Sequence, residues 1–302
     1  MLLFAREWPV LLVDDEPDVL AVSQLAMRRI EVDSVPIVLH TARSKAEAMQ
    51  LLQGPLGGTV APYVAVAFID VVMETDEAGL ELCQYIRQTL KNKLMQLYIR
   101  TGQPGVAPER SVIDRYDING YFTKIELTED KLYSLVKAAV RQFRFASMAL
   151  AEFSAVAMGI RQAGRSNSRA AFTEAIYSYL QQLPLDGTGH PTHNYQRRLT
   201  MLDEHGVLLK GGGYTEAEAI AERDRLLALG LQPLGAPGDG YVIDGHDMLI
   251  KVAATETNGE TYHLSNAPTV ASPVDVLLLQ VFTRSMATLT HHMPAPAPAE
   301  RT

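Results

Sequence analysis

The feature that most constrains this chain is a regular alternation of short apolar runs with amphipathic segments from Pro9 to about Arg144. The short runs fit buried strands, and the longer segments repeat their apolar residues at helical spacing. Strands that alternate with helices build a parallel sheet with helices on both faces. The pattern therefore predicts an α/β domain with a doubly wound, five-stranded parallel sheet.

The limits of each run give the boundaries of the predicted elements. Gly- and Pro-rich sequence at 54–62 breaks both periodicities and predicts a loop. The fifth helix is predicted to begin near Glu129, with Thr128 as its N-cap. The predicted strands are Val10–Val13, Ile37–His40, Val64–Ile69, Met95–Arg100 and Gly120–Thr123, and the earlier helices lie near 17–29, 44–53, 78–89 and 108–116.

Composition describes an ordinary globular chain rather than a nucleic-acid-binding or membrane protein. The 302 residues suffice for about two domains, with 47% hydrophobic residues, 21% charged residues and a formal net charge of −8. Residues 1–129 contain 12 basic and 18 acidic residues, and the remainder also lacks a basic excess. The apolar stretch Phe145–Ile160 is too short to span a bilayer and contains Glu152. We expect no nucleic-acid partner and no membrane insertion.

The single cysteine, Cys83, excludes an internal disulfide and a Cys-x-x-Cys metal site. It lies at an apolar position of a helical pattern with Leu80 and Ile86, which favours a place in the core over reactivity. Residues 1–8 include charged side chains and lack a secretory apolar region. These features predict a reducing, cytoplasmic location.

The fifth helix has no breaker where the first domain should end. Its apolar residues recur at helical spacing from Leu132 to Ile160, and the pattern continues until Gly164. Residues 129–165 are therefore predicted to form this helix and a helical connector. The apolar stripe fits the seam of a parallel homodimer and equally fits a helix packed on its own domains, so both remain open.

The second half has a different element order, which predicts an α+β domain at 166–292. A helix near 168–182 precedes a strand pair around Leu199–Leu209 and a helix near 215–229. Asn258 and Gly259, between two apolar runs, favour a type I′ hairpin because both central residues need positive φ. Further strands are predicted at 240–244, 248–254 and 261–264, with a last helix at about 273–290 and a disordered Pro/Ala tail at 293–302.

Polar side chains end or follow four of the five predicted parallel strands. Asp14 and Asp15 follow the first strand, Asp70 closes the third, Thr101 follows the fourth and Lys124 follows the fifth. Because the carboxyl ends of parallel strands share one edge of a sheet, these side chains should converge. Three converging carboxylates repel each other unless a divalent cation lies among them, and ligands that are all oxygen suit Mg²⁺.

These residue types suit phosphoryl transfer to a carboxylate. Asp70 could act as a nucleophile toward phosphorus and form an aspartyl phosphate. Asp14 and Asp15 would hold or orient the metal, while Lys124 and the Thr101 hydroxyl would contact the phosphoryl oxygens. The other interpretation is a degenerate site whose acidic residues are only a structural remnant. The presence of all five residues argues against it.

The segments that carry these residues resemble the receiver domains of bacterial two-component response regulators. They are VLLVDDE at 10–16, FIDVVM at 68–73, YIRTG at 98–102 and GYFTK at 120–124. The resemblance covers roughly the first 125 residues and places the receiver domain at 1–128. It implies that a sensor histidine kinase is the partner that phosphorylates Asp70.

The same resemblance implies roles for individual residues. Mg²⁺ would be bound by Asp15, Asp70 and the backbone carbonyl of Val72, with Asp14 in the metal site. Thr101 would be a switch residue, and Tyr121 would be the switch aromatic whose rotamer responds to phosphorylation.

Two positions depart from the family pattern. Glu74 and Ile125 stand where receivers usually have prolines, and the loop after Asp70 is one residue longer before Gly79. We expect these departures to affect the shape of the loop and the kinetics more than the acceptor chemistry.

The second half resembles a GAF-like domain of the type that follows receivers in proteins ending in HD-GYP, cyclase or kinase modules. The segments that carry this resemblance are LLKGGGY at 208–214, GYVIDG at 240–245 and VDVLLLQVFTRSMATL at 274–289. The sequence contains no HD-GYP, EAL, GGDEF or kinase-histidine signature and no basic helix-turn-helix. We therefore expect no enzyme beyond autophosphorylation and autodephosphorylation of the receiver.

Two functions follow from this organisation. The first is a response regulator whose non-DNA-binding GAF-like output acts through contacts with a downstream protein. The alternative is a small-molecule sensor or adaptor, in which the GAF-like domain binds a ligand and modulates the receiver.

Overall fold

The computed structural model describes residues 7–33, 35–53, 64–102, 109–182, 198–202, 208–210, 214–245, 247–253, 259–265 and 273–291. These residues form two sheets, one in each half of the chain. One long helix contributes side chains to the cores of both halves.

The N-terminal sheet has five parallel strands and a short antiparallel strand at one edge. Its strands are β1 (Trp8–Val13), β2 (Glu31–Val32), β3 (Val35–Ala42), β4 (Val66–Ile69), β5 (Gln96–Thr101) and β6 (Gly120–Thr123). The spatial order is β2-β3-β1-β4-β5-β6, with β2 antiparallel to β3. Counted along the chain, the five parallel strands stand in the order 2-1-3-4-5, which is a doubly wound arrangement. The predicted α/β architecture is confirmed.

Helices cover both faces of this sheet. They are α1 (Pro17–Met27), α2 (Lys45–Gln53), α3 (Ala78–Gln84), which continues as a π-helical turn at Tyr85–Thr89, α4 (Glu109–Tyr116) and α5 (Glu129–Ala163). Side chains of α1 and α5 share one core with the sheet, and those of α2, α3 and α4 share the other. Every residue of β1 and β4 is buried, as a parallel sheet between two helical layers requires.

Strand β2 is missed by the sequence pattern. Two residues are too few to show either periodicity. Val32 pairs with Val35 of the adjoining strand β3, and the Val32 carbonyl accepts a hydrogen bond from Trp8 Nε1, 24 residues away along the chain, at 3.2 Å. Asp33 follows with φ of 55°, in the left-handed region that aspartate tolerates better than most residues.

Cys83 lies fully buried in the core beneath α3, which confirms the predicted core position. Burial disfavours the thiolate and raises the pKa of the Cys83 thiol to about 12. The thiol is therefore protonated at neutral pH and is shielded from oxidants.

Helix α5 begins at Glu129, as predicted, and runs without interruption to Ala163. Thr128 Oγ1 accepts a hydrogen bond from the Lys131 N–H at 3.3 Å, which confirms the predicted N-cap. The first half of the helix lies in the N-terminal core through Leu132, Val136, Ala139, Val140 and Phe143, and the second half lies in the C-terminal core through Ala155 and Met158. The predicted connector is thus a direct continuation of the fifth helix.

An ion-pair cluster ties α5 to the edge of the N-terminal sheet. Arg141 donates to Asp33 Oδ1 at 2.8 Å, and Arg144 donates to Asp33 Oδ2 at 2.9 Å. Partial burial acts to raise the pKa of Asp33, but the hydrogen bonds and charges of both guanidinium groups outweigh it and hold that pKa below its ordinary value. The helix is therefore fixed at the point where it leaves the N-terminal core.

The C-terminal half is an α+β domain, as predicted, built on an antiparallel sheet with the order β8-β7-β12-β11-β10-β9. Its strands are β7 (Arg198–Leu202), β8 (Leu208–Lys210), β9 (Gln232–Pro233), β10 (Gly240–Asp244), β11 (Asp247–Ala253) and β12 (Gly259–Ser265). Its helices are α6 (Arg169–Gln182), α7 (Glu216–Leu227) and α8 (Pro273–His291). The sequence pattern misses only β9, which again has two residues.

Three sequence features of the C-terminal half fall outside the described residues. The pairing of β11 with β12 supports the predicted hairpin, but Asn258 of its turn is not described. The same holds for the glycine run at 211–213 and for the tail at 293–302. No helix in the described part of the chain is long and apolar enough to cross a membrane.

A buried carboxylate joins three parts of the C-terminal domain. The Asp239 side chain is fully buried just before β10. It accepts hydrogen bonds from Arg284 Nη1 of α8 at 2.7 Å and from the Ala253 N–H at the end of β11 at 2.9 Å. A carboxylate is tolerated in such a place because it is paired and hydrogen-bonded.

We expect Asp239→Ala to destabilise the C-terminal domain by about 2 kcal/mol, because the Ala253 N–H and Arg284 lose their acceptor. Urea unfolding followed by circular dichroism measures the loss. The control is Asp244→Ala, which removes a half-exposed partner of Arg225 and should cost less than about 1 kcal/mol. Equal losses for the two variants would contradict a stabilising role for the buried pair.

Candidate functional site

The carboxyl edge of the N-terminal sheet positions all five residues predicted to carry the chemistry. Asp14 and Asp15 follow β1, Asp70 follows β4, Thr101 is the last residue of β5 and Lys124 follows β6. The Lys124 N–H donates to the Thr101 carbonyl at 2.8 Å, which continues the pairing of β5 with β6 into the site. The sheet therefore fixes the backbone positions of these five residues.

Three carboxylates gather at this edge. Asp14, Asp15 and Asp70 each place one carboxylate oxygen within 4.8 Å of the others. Asp14 and Asp70 are buried, whereas Asp15 is exposed. The pocket is therefore acidic, with two of its charges out of solvent and one at its mouth.

Lys124 supplies the positive charge of the pocket. Its Nζ lies 2.8 Å from Asp70 Oδ2, 3.0 Å from Asp14 Oδ2 and 2.6 Å from Glu16 Oε1. Partial burial acts to lower the pKa of Lys124, but hydrogen bonds to the three acids outweigh it and raise that pKa above its ordinary value. Lys124 thus remains a cation throughout the physiological range of pH.

Glu16 is a member of this cluster that the sequence analysis did not assign a role. A hydrogen bond from Lys124 and the charge of that ammonium lower the pKa of Glu16. Glu16 belongs to the VLLVDDE segment, and that segment could have pointed to it. The strand pattern, however, places only Asp14 and Asp15 at the carboxyl edge of the sheet, and Glu16 comes after them. Glu16 shares the cation with the two buried carboxylates.

Asp70 is the acid whose environment most opposes its charge. Burial raises the pKa of Asp70, the charge of Asp14 adds to the increase, and the hydrogen bond from Lys124 opposes it. Asp70 Oδ1 is buried without a hydrogen-bond partner among the described residues. Buried polar atoms normally have a partner, so we expect a cation or a hydrogen-bond donor beside this carboxylate oxygen.

The donor set fits a hard divalent cation. Asp14, Asp15 and Asp70 offer only oxygen ligands, and the unpartnered Asp70 Oδ1 faces no protein donor within the described residues. These three residues would hold Mg²⁺. The part of the Val72 carbonyl as a further ligand stays a prediction.

Thr101 is the last residue of β5, and Tyr121 is the second residue of β6. Thr101 is buried beside the acidic pocket, and Tyr121 of β6 is partly buried against the core that includes α2, α3 and α4. Their switch roles stay predictions.

Gly79 allows the loop after Asp70 to fold back against the strand end. Its N–H donates to the Val71 carbonyl at 3.0 Å. A Cβ atom at residue 79 would lie 1.8 Å from the Asp70 carbonyl oxygen and 2.9 Å from Val71 Cα. Because both are backbone atoms, a side chain of any size at residue 79 would displace the loop that follows Asp70.

Glu74 anchors the same loop in the place where receivers usually have proline. Both of its carboxylate oxygens accept from the Lys45 N–H at the start of α2, at 3.0 and 3.2 Å. A carboxylate at a helix N-terminus is favourable because the first N–H groups have no helical partner. The other departure, Ile125, leaves its side chain 92% exposed next to Lys124.

Arg100 places a second cation near the pocket and was not a candidate from the sequence. Its Nη1 donates to Ser23 Oγ of α1 at 2.8 Å, and its Nε is buried without a partner among the described residues. Burial lowers the pKa of Arg100, although the charges of Asp14 and Asp70 oppose that change. Strand alternation assigns Arg100 to the face opposite Thr101, so the pattern gave no signal.

Comparison with known proteins adds a relative for part of the chain. No protein-family model matches the chain. A stretch of 137 residues is 39% identical to the 3′3′-cGAMP-specific phosphodiesterase 2 of Vibrio cholerae serotype O1, covering 45% of this chain and 25% of that protein. The chain therefore spans about a quarter of the length of this relative.

Solved structures that resemble the chain cover a little under half of it. The signal receiver domain of an HD domain-containing protein from Pseudomonas fluorescens Pf-5 is 21% identical, with a TM-score of 0.37, covering 46% of this chain and 98% of that one. The Mn²⁺-bound response regulator Rcp1 is 20% identical, with a TM-score of 0.35, and the match covers 43% of this chain and 90% of Rcp1. The phosphorylated cyanobacterial phytochrome response regulator RcpA is 19% identical, with a TM-score of 0.36, and the match covers 47% of this chain and 96% of RcpA.

The strand order and the position of the site agree on one assignment for the N-terminal half. Five parallel strands in the order 2-1-3-4-5 carry an acidic cluster, a threonine and a lysine on their carboxyl edge. The N-terminal domain has the receiver fold. Within the receiver, the acidic pocket of Asp14, Asp15 and Asp70 is consistent with phosphorylation.

We expect Gly79→Ala to destabilise the receiver by about 1–3 kcal/mol, because the added methyl group overlaps backbone atoms. Thermal unfolding measures this effect. The control is Gly102→Ala, since a Cβ there meets only Lys124 Cδ at 3.8 Å, an ordinary contact. If both variants melt at the temperature of the wild type, the close approach at Gly79 does not constrain the loop.

Proposed function

We propose that this chain is a two-component response regulator in which a sensor histidine kinase phosphorylates Asp70. The observation that carries the proposal is the contact of Lys124 Nζ with both Asp70 and Asp14 inside a buried acidic pocket. A lysine held by a buried acceptor carboxylate is placed to meet the oxygens of an incoming phosphoryl group.

The reaction that fits the site is attack by a carboxylate oxygen of Asp70 on the phosphorus of a phosphohistidine. The new O–P bond forms as the P–N bond to the histidine breaks, and the kinase imidazole leaves with its electron pair. Lys124 moves from carboxylate oxygens to phosphoryl oxygens, and the Thr101 hydroxyl donates to another. A divalent cation held by Asp14, Asp15 and Asp70 neutralises phosphoryl charge when bound.

The proposed output is protein contact through a GAF-like C-terminal domain, without an enzyme in this chain and without DNA binding. The antiparallel sheet with helices on both faces is compatible with that family, and the sequence segments at 208–214, 240–245 and 274–289 support it. The match to the phosphodiesterase covers 137 residues, a quarter of that protein, so we do not extend the activity of that protein to this chain.

One observation favours the alternative function, a small-molecule sensor or adaptor. Thr173 Oγ1 of α6 and Thr200 Oγ1 of β7 are buried without a hydrogen-bond partner among the described residues. Buried hydroxyl groups normally have partners, and a small polar ligand could supply them. A ligand-dependent shift in melting of the C-terminal domain favours the sensor. A downstream protein that binds only phosphorylated or only Asp70→Ala protein favours the regulator.

We expect Mg²⁺ to raise the melting temperature of the wild type by a few degrees, since it binds the folded acidic pocket and not the unfolded chain. Asp70→Asn should melt higher than the wild type in EDTA and gain less from Mg²⁺. Because the pKa of Asp70 is raised in the fold, ionisation of Asp70 costs stability as pH increases from its ordinary value through the raised one. The variant should lack this decline.

We expect radiolabelled acetyl phosphate with Mg²⁺ to label the wild type and not Asp70→Ala. The label should be labile to base, as an acyl phosphate is. Asp76→Ala, which removes an exposed aspartate six residues along the same loop, is the control and should label normally. Undiminished label in Asp70→Ala would overturn the assignment of the acceptor.

A further inference from the structure

Glu74 joins the loop after Asp70 to a helix from an earlier part of the chain. Both of its carboxylate oxygens accept from the Lys45 N–H at the start of α2, at 3.0 and 3.2 Å. The Lys45 ammonium also pairs with Glu81 of α3. These contacts of Lys45 with Glu74 and Glu81 are here called the loop clamp. Glu74 and Lys45 are 29 residues apart in sequence, so the loop clamp is a tertiary contact.

The strand order shows what the loop clamp spans. Helix α2 follows β3, and the loop that contains Glu74 follows β4. In the sheet, β1 lies between β3 and β4. Strand β1 is also the strand that Asp14 and Asp15 follow. The loop clamp therefore connects segments from the two neighbours of the strand that leads to two of the three carboxylates.

The loop after Asp70 is held firmly at its base and weakly at its tip. Val71 and Met73 are buried in the core shared with α2, α3 and α4, whereas residues 74–77 are exposed. An exposed segment has few packing contacts, so its conformation depends mainly on hydrogen bonds. The bond from Glu74 is favourable because the N-terminus of a helix attracts negative charge and has N–H groups without helical partners.

The three carboxylates of the pocket repel one another when no cation lies among them. This repulsion favours any movement of the loop that takes Asp70 away from Asp14 and Asp15. A contact that opposes the movement keeps the three ligands close together before a cation arrives. Because less reorganisation is then needed on binding, the affinity for the cation increases.

We propose that Glu74 is a positioning residue for the divalent cation: through the loop clamp, it holds the loop after Asp70 so that the three carboxylates stay together. The inference rests on the proposed function, because the cation is the one that the receiver would use. Glu74 acts through the backbone of the loop and is not itself a ligand. Receivers usually have proline here, which restrains a loop through its ring, and in this chain a side-chain contact takes that part.

The test is titration of the full chain with Mn²⁺, with the free ion measured by electron paramagnetic resonance. Mn²⁺ suits carboxylate oxygens, as Mg²⁺ does. Glu74→Ala removes both the acceptor and its charge, whereas Glu74→Gln removes the charge and keeps an acceptor oxygen. Glu77→Ala is the matched control, because Glu77 is an exposed glutamate of the same loop whose side chain does not cap α3. Circular dichroism checks that the variants fold.

We expect Glu74→Ala to raise the Mn²⁺ dissociation constant by about three- to tenfold. This is less than the about 10–100-fold loss that is typical when a residue bonded directly to a metal ligand is removed. Glu74→Gln should bind Mn²⁺ more tightly than Glu74→Ala. Glu77→Ala should stay within about twofold of the wild type, because solvent and salt screen an exposed charge.

Three results would contradict the proposal. If Asp70→Asn loses Mn²⁺ binding but Glu74→Ala binds as the wild type does, the loop clamp has no such role and the proposed function stands. Equal weakening by Glu74→Ala, Glu74→Gln and Glu77→Ala would assign the effect to charge and overturn the role of the contact. A wild type that binds no Mn²⁺ would overturn the proposed metal site together with the loop clamp.

Discussion

The receiver site depends on one cation shared by three acids. The Lys124 ammonium contacts Asp70, Asp14 and Glu16, and two of these carboxylates are buried in a region of low dielectric where their mutual repulsion is strong. The contacts exist only when β1, β4 and β6 end at the same edge of the sheet, with β5 between the last two. The site is therefore positioned by the strand ends of the sheet. The surrounding loops can differ from the family pattern without moving Lys124 away from these acids.

Local sequence patterns predicted most elements of this fold, because the longer strands and helices appear in the sequence as apolar runs or as apolar residues at helical spacing. They failed for β2 and β9, which consist of two residues each, too few to show a periodicity, and which are defined by their pairing with β3 and β10. They also placed Asp14, Asp15, Asp70, Thr101 and Lys124 together, because parallel strands share an edge. The contacts of Glu16, Arg100 and Gly79 could not be predicted, since they depend on which elements meet in the tertiary structure and not on spacing along the chain.

The apolar stripe of α5 shows why its packing could not be resolved from sequence. One helical pattern continues from Leu132 to Ile160, yet its residues face three environments. Those up to Phe143 lie in the receiver core, Ala155 and Met158 lie in the C-terminal core, and Leu150, Phe153 and Ile160 are exposed. Periodicity identifies apolar positions on a helix, but the neighbours of each position are decided by the tertiary structure.

Because α5 is continuous, a small tilt at one end of the helix displaces its other end. About twenty residues separate Phe143, clamped in the receiver, from the end of the helix, a distance of about 30 Å along its axis. A tilt of about 5° at the clamped end would move the far end by about 2–3 Å, by the same geometry. Displacements of that size are enough to change which side chains meet at a packed interface. A rotation too small to alter the receiver core could thus become a change of contacts at the opposite end of the molecule.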